Sequence, residues 1–71
     1  MTYTVQQGVF SNTGVGDYTL YKEFDNLDAA TAYFNKIKNA KRGYTIYKHQ
    51  HLETILTIAG DLIPIAWWNK D

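Results

Sequence analysis

Hydrophobic and polar residues alternate near the start of the chain. Tyr3–Ser11 is rich in Tyr, Thr, Val and Phe, and Tyr18–Phe24 repeats that composition, with Tyr18, Leu20 and Phe24 set against polar neighbours. A period of two in β-branched and aromatic residues predicts two strands. The turn formers Asn12-Thr13-Gly14-Val15-Gly16-Asp17 between them predict a hairpin with a loose loop.

At Asp25-Asn26-Leu27-Asp28 the period changes. Leu27, Ala30, Phe34 and Ile37 recur at three- and four-residue spacing, flanked by Tyr33 and Ala40, which predicts an amphipathic helix. Asp25 or Asn26 offers a short acceptor to a first-turn N–H, and Asp28 places negative charge at the positive end of the helix dipole. Lys36, Lys38, Lys41 and Arg42 load the other end, and Gly43 is the expected stop. Strand patterning returns in Tyr44–His49, Thr54–Ala59 and Leu62–Trp68, the last two joined across Gly60-Asp61. Pro64 has no N–H to donate, so the last strand is expected at an edge.

The expected order is ββαβββ. It describes an α+β, two-layer sandwich: an antiparallel sheet of four to five strands with one helix on one face. Its expected core sets Leu27, Ala30, Phe34 and Ile37 against Leu20, Ile46, Leu56, Ile58 and Ile65. One helix covers one sheet face, which leaves the other to water or to a partner.

With 71 residues the chain forms a single domain, 1–71. Seven basic residues balance seven acidic ones, so no global field draws it to nucleic acid or to an anionic membrane. The absence of cysteine excludes disulfides, thiolate metal sites and a cysteine nucleophile, and suits a reducing cytoplasm. Met1–Gln7 lacks the features of a signal peptide, and no apolar run approaches the ~20 residues that span a bilayer. A cytoplasmic location with no membrane association is the expectation.

Three groups of residues invite chemistry. His49, His51 and Glu53 would share one face of a continuous strand, and two imidazoles with a carboxylate are a known zinc ligand set; two ordinary surface histidines near a turn explain them better. The run 36–51 carries Lys36, Lys38, Lys41, Arg42 and Lys48 with no acid, beside Tyr44 and Tyr47. Cations and rings together suit a polyanion. The competing explanation is that basic residues at a helix C-terminus offset its dipole. Finally, Trp67 and Trp68 are adjacent in a predicted strand and must point to opposite faces, so one of them faces outward, either packed on a neighbouring aliphatic stem or serving as an anchor for a partner, and Trp68 is counted among the candidate binding residues. Gly14-Val15-Gly16 lacks the following helix that a phosphate cradle needs. Asp, Glu, His and Ser11 supply catalytic residue types in no recognisable triad order, so no enzyme and no cofactor are expected.

Tyr3-Thr4-Val5-Gln6-Gln7-Gly8-Val9-Phe10-Ser11 resembles the opening strand of the SPOR peptidoglycan-binding domain, which often reads aromatic-x-Val-Gln-x-Gly-x-Phe-Ser. In that family a helix follows at once, whereas here Gly14–Phe24 gives a loop and a strand, so no function is carried over. The layout is similar to that of several phage-encoded inhibitors, including some anti-CRISPR proteins, and this is an analogy of layout alone. The function expected is that of a small non-catalytic cytoplasmic protein-binding module, an inhibitor or adaptor of phage or mobile-element type acting on a host protein or complex. Its binding residues would be Lys36, Lys38, Lys41, Arg42, Tyr47, Lys48 and Trp68. Two alternatives stay open: nucleic-acid binding through 36–51, and a homodimer or larger homo-oligomer joined through the open sheet face.

Overall fold

The computed structural model describes residues 1–40 and 43–70, so Lys41 and Arg42 lie outside the described residues. Strands β1 (Tyr3–Ser11) and β2 (Gly16–Phe24) form the expected hairpin, helix α1 (Leu27–Ile37) follows, and β3 (Gln50–Ile58) and β4 (Ala66–Lys70) complete the fold. The sheet is antiparallel throughout, in the order β2-β1-β3-β4. This is the α+β sandwich with one helix, built on four strands in the order ββαββ. Two long strands, β1 and β3, occupy the centre, and α1 carries the chain from one side of β1 to the other.

Alternation assigns the faces. Tyr3, Val5 and Gln7 of β1 stand opposite Ile58, Leu56 and Thr54 of β3, and Leu56 and Thr54 stand opposite Ala66 and Trp68 of β4. Helix α1 lays Ala30, Phe34 and Ile37, one stripe at four- and three-residue spacing, onto Val5 and Leu56. Tyr3, Leu20, Phe24, Tyr33, Ala66 and Trp68 pack around this cluster. Burying each large apolar side chain contributes about 1.5–3 kcal/mol, which makes this stripe the main source of stability.

Both helix ends are closed by side chains. The N-cap is Asn26, whose Oδ1 accepts from Ala29 N at 2.8 Å. At the other end α1 stops at Ile37, well before the expected Gly43. Gln7 explains the stop: fully buried on β1, it donates through Nε2 to Ile37 O at 2.8 Å, to Ala40 O at 3.3 Å and to Thr54 Oγ1 at 3.1 Å. Thr54 in turn donates to Lys38 O at 3.3 Å. The last carbonyls of a helix have no partner within it, and here two strand side chains supply the donors under the sheet cover.

Three sequence expectations change. Tyr44–His49 is a loop, because its groups are committed elsewhere. The Tyr44 hydroxyl donates to Gln7 O at 3.3 Å and accepts from Thr19 Oγ1 at 2.9 Å, while Gln50 N bonds Tyr47 O at 3.1 Å in a turn whose His49 has φ 67°. Gln7 O needs that phenol because the β1–β2 ladder is irregular there: Gln7 faces Leu20 and Gly8 faces Tyr18, leaving Thr19 as the extra residue of a bulge. Residues 62–65 are not strand either, since Ile65 N to Leu56 O at 2.7 Å is the first bond toward β3 and Pro64 cannot donate before it. In the core, Val5, Leu52 and the polar pair Gln7 and Thr54 are buried, whereas Leu27 and Ile65 are exposed and Ile46 is half-buried in the loop.

Two substitutions test this packing by chemical denaturation. Phe34→Ala should cost about 3–5 kcal/mol through the cavity it leaves. Gln7→Leu keeps the volume and removes the side-chain donors to the helix end; because Ile37 O keeps its bond from Ala40 N and Ala40 is exposed, it should cost only about 1 kcal/mol while the same fold persists.

Candidate binding face

The sheet face away from α1 has no covering layer. Its residues form rows across the strands, fixed by register. One row reads Tyr21, Gln6, Ile55, Trp67 across all four strands. The next reads Tyr18, Gly8, Glu53, Asn69, and beyond it Phe10 faces His51. Neighbouring strands lie about 4.8 Å apart, so Tyr21 and Trp67 stand at the two rims of a face roughly 14 Å wide with smaller groups between them.

Gly8 makes the middle low. A methyl group there would collide with the Asp17 carbonyl, so the bulge brings β2 backbone closer than any side chain allows. Glu53 stands directly opposite Gly8 on β3. Its Oε1 accepts from Trp67 Nε1 at 2.6 Å, and its Oε2 lies 3.4 Å from His51 Nε2. That bond orients the indole in the structure while leaving Trp67 61% exposed. His51 is placed on its other side by Asn12, with Nδ1 and Oδ1 3.4 Å apart, and its ring stacks on Phe10 with centroids 6.2 Å apart. Phe10 meets Tyr18 edge to face at 4.8 Å. The result is a continuous aromatic surface around one carboxylate.

Beside Tyr21 and Ile55 lies a groove of about 170 Å³, floored by Thr4, Gln6 and Thr57 and walled by the loop 58–62. The loop turns at Gly60 (φ 92°), where Asp61 N bonds Ile58 O at 2.9 Å. It then projects Leu62 and Ile63, which are 98% and 81% exposed.

The structure disperses the expected site residues. Trp68 lies on the helix side and packs against the core, so the outward tryptophan is Trp67. The reason is register: Trp68 stands opposite Thr54, which faces α1, and Trp67 stands opposite Ile55. Lys36 is exposed on α1, Lys38 is its C-cap with Nζ 3.2 Å from Asn35 Oδ1, and Tyr47 and Lys48 are exposed in the loop before β3. None of these four belongs to the open face. Of the histidine–carboxylate set, His51 and Glu53 do meet, while His49 sits in the left-handed turn; among the described residues no three His, Cys, Asp or Glu side chains converge. Nor is any described helix long and apolar enough to cross a membrane.

Tyr21, Trp67 and the Leu62–Ile63 tip escaped the sequence reading. Tyr21 carried a signal, since it alternates with the inward Leu20 and falls on the opposite face. Trp67 required the β3–β4 register, and Leu62–Ile63 read as strand.

The Tyr18 phenol is raised above its ordinary range, first by burial and then by the negative charge of Glu53. Because the folded state holds this proton more tightly, its contribution to stability is full below the unfolded value of about 10 and is lost as pH rises through the folded one. In an ultraviolet phenolate titration one tyrosine should lag behind the others. In Glu53→Gln the lag should shrink and persist, because burial is the larger cause.

No protein-family model, no curated protein and no solved structure matches this chain, so the nine-residue likeness of its first strand to the SPOR opening strand stands alone.

Proposed function

We propose that this chain is a non-catalytic protein-binding module that docks through the open sheet face and the adjoining tip of loop 59–65. The observation that carries the reading is the concentration of exposed apolar groups there. Trp67 and Tyr21 rim the face, and Leu62, Ile63 and Ile65 extend it. Contiguous exposed apolar surface marks association sites, and aromatic residues held rigid in the free protein lose little entropy on binding. Trp67 is such a residue, because Glu53 already orients it.

The non-catalytic part of the reading is supported by the state of the one carboxylate at the centre of the face. Glu53, its central ionisable group, has each oxygen engaged by a neighbour, Trp67 on one side and His51 on the other. Nucleic-acid binding through 36–51 has weaker support. Lys36 and Lys38 sit where the α1 dipole is offset, and the exposed rings of Tyr21 and Trp67 lie on the other side of the sheet. A cysteine-free chain suits the reducing cytoplasm, and a small inhibitor or adaptor of phage or mobile-element type, acting on a host protein, is the role we favour.

The test compares immobilised wild-type chain with a Trp67→Ala, Leu62→Ser double variant in capture from a cell lysate. Both positions are exposed and only the bond from Trp67 to Glu53 is lost, so the melting temperature should fall by no more than several degrees and the fold should persist. A protein retained by the wild type should be lost from the variant. Equal retention of every protein by both would refute the reading.

A further inference from the structure

The described lysine side chains lie off the open sheet face, as do the acids Asp17, Asp25 and Asp28, whereas the charged side chains Glu23 and Glu53 lie on it. Among the described residues, Lys22 stands over the Tyr33 ring, 4.9 Å from its centroid, and Lys36 and Lys38 belong to the helix. The remaining described lysine side chain, Lys48, lies in the turn before β3. The open face holds Glu23 opposite Thr4 and Glu53 opposite Gly8, and Asp61 lines the groove. Among the described residues no row of that face contains a lysine or an arginine. A face that is both aromatic and acidic is complementary to a cation carried on an aliphatic stem.

The groove has the dimensions for it. At about 170 Å³ it is well below the ~300–1,000 Å³ of sites for drug-sized ligands, and matches a single long side chain. Tyr21 and Ile55 supply an apolar wall for a stem, and the acidic Asp61 is among the lining residues. Thr57 in the floor is 6% exposed, and its buried Oγ1 has no hydrogen-bond partner among the described residues.

Resting on the protein-binding reading above, we infer that the partner presents a lysine or arginine side chain, which seats in the groove between Tyr21, Ile55 and Asp61 within a basic patch that covers Trp67. The same charge pattern disfavours two other occupants. A second copy docked face to face by a two-fold axis would set one acidic face against another, and phosphates would meet carboxylates.

Amide-resolved NMR of the full chain, titrated with a blocked arginine–leucine repeat peptide and with its glutamate–leucine counterpart, tests this directly. The arginine peptide should shift the Trp67 indole N–H and the amides of Tyr21, Ile55 and Gly60, and the glutamate peptide should not. Glu23→Gln with Asp61→Asn should weaken the arginine peptide roughly fivefold, as expected for two exposed charges, and added salt should weaken it further. Equal response to both peptides, shifts confined to Asp25–Asp28, or no shift at all would overturn the inference. So would sedimentation of the chain alone as a dimer that Trp67→Asp dissociates, since the face would then belong to a second copy. If the Trp67→Ala, Leu62→Ser bait loses a partner while the arginine peptide leaves the groove untouched, the protein-binding reading stands and the cationic side chain is ruled out. If that bait loses nothing, the reading itself fails.

Discussion

A single buried amide holds the two layers in place. Gln7 sits on the central strand with its side chain under the end of α1, and its Nε2 serves two helix-end carbonyls and the Thr54 hydroxyl of the other central strand. Apolar contacts between Phe34, Ile37, Val5 and Leu56 supply most of the stabilisation, but such contacts are non-directional and tolerate sliding. Hydrogen bonds to buried carbonyls do not, because each lost one leaves a desolvated acceptor. Gln7 and Thr54 therefore fix where along the sheet the helix ends, and so which strand face is covered and which is left open.

The periodicities of the sequence make much of this legible. The change of period at Leu27 identifies the helix, Asn26 its cap, and Ala30, Phe34 and Ile37 its buried stripe. What was illegible depended on partners distant in the chain. Gln7 falls on the same side of β1 as Tyr3 and Val5, but nothing local marks it as the partner of the helix end. Tyr44–His49 has strand composition, yet the Tyr44 phenol is drawn to the bulge at Gln7, a feature that only the β1–β2 register exposes. The two tryptophans could be assigned to opposite faces from adjacency alone, but which faces which required knowing that Ile55 points away from the helix.

The open face shows how a polar residue can prepare an apolar surface. Left alone, an exposed indole samples several rotamers and loses that freedom on binding. Glu53 removes it in the free protein with one short bond, and His51, Asn12 and Phe10 brace Glu53 from the other side. Gly8 makes the room, since only a residue without a side chain lets the β2 backbone come so close at the bulge. The bulge thus has two roles in one place: its carbonyl anchors the Tyr44 loop on one side of the sheet, and its missing side chain lowers the floor on the other.

The strand order also governs the sequence of events during synthesis. Strand β1 pairs with β2, its immediate neighbour in the chain, and with β3, which begins at Gln50. A ribosome that has released only β1, β2 and α1 has made a hairpin and a helix whose shared core lacks Leu56, Leu52 and Thr54. The second edge of β1 is then a row of unpaired amides beside apolar side chains, a template for pairing with any extended chain nearby. Since β3 lies close behind α1, the interval is short. The exposed edge closes once β3 emerges, so little time remains for a wrong strand to take the place of the right one.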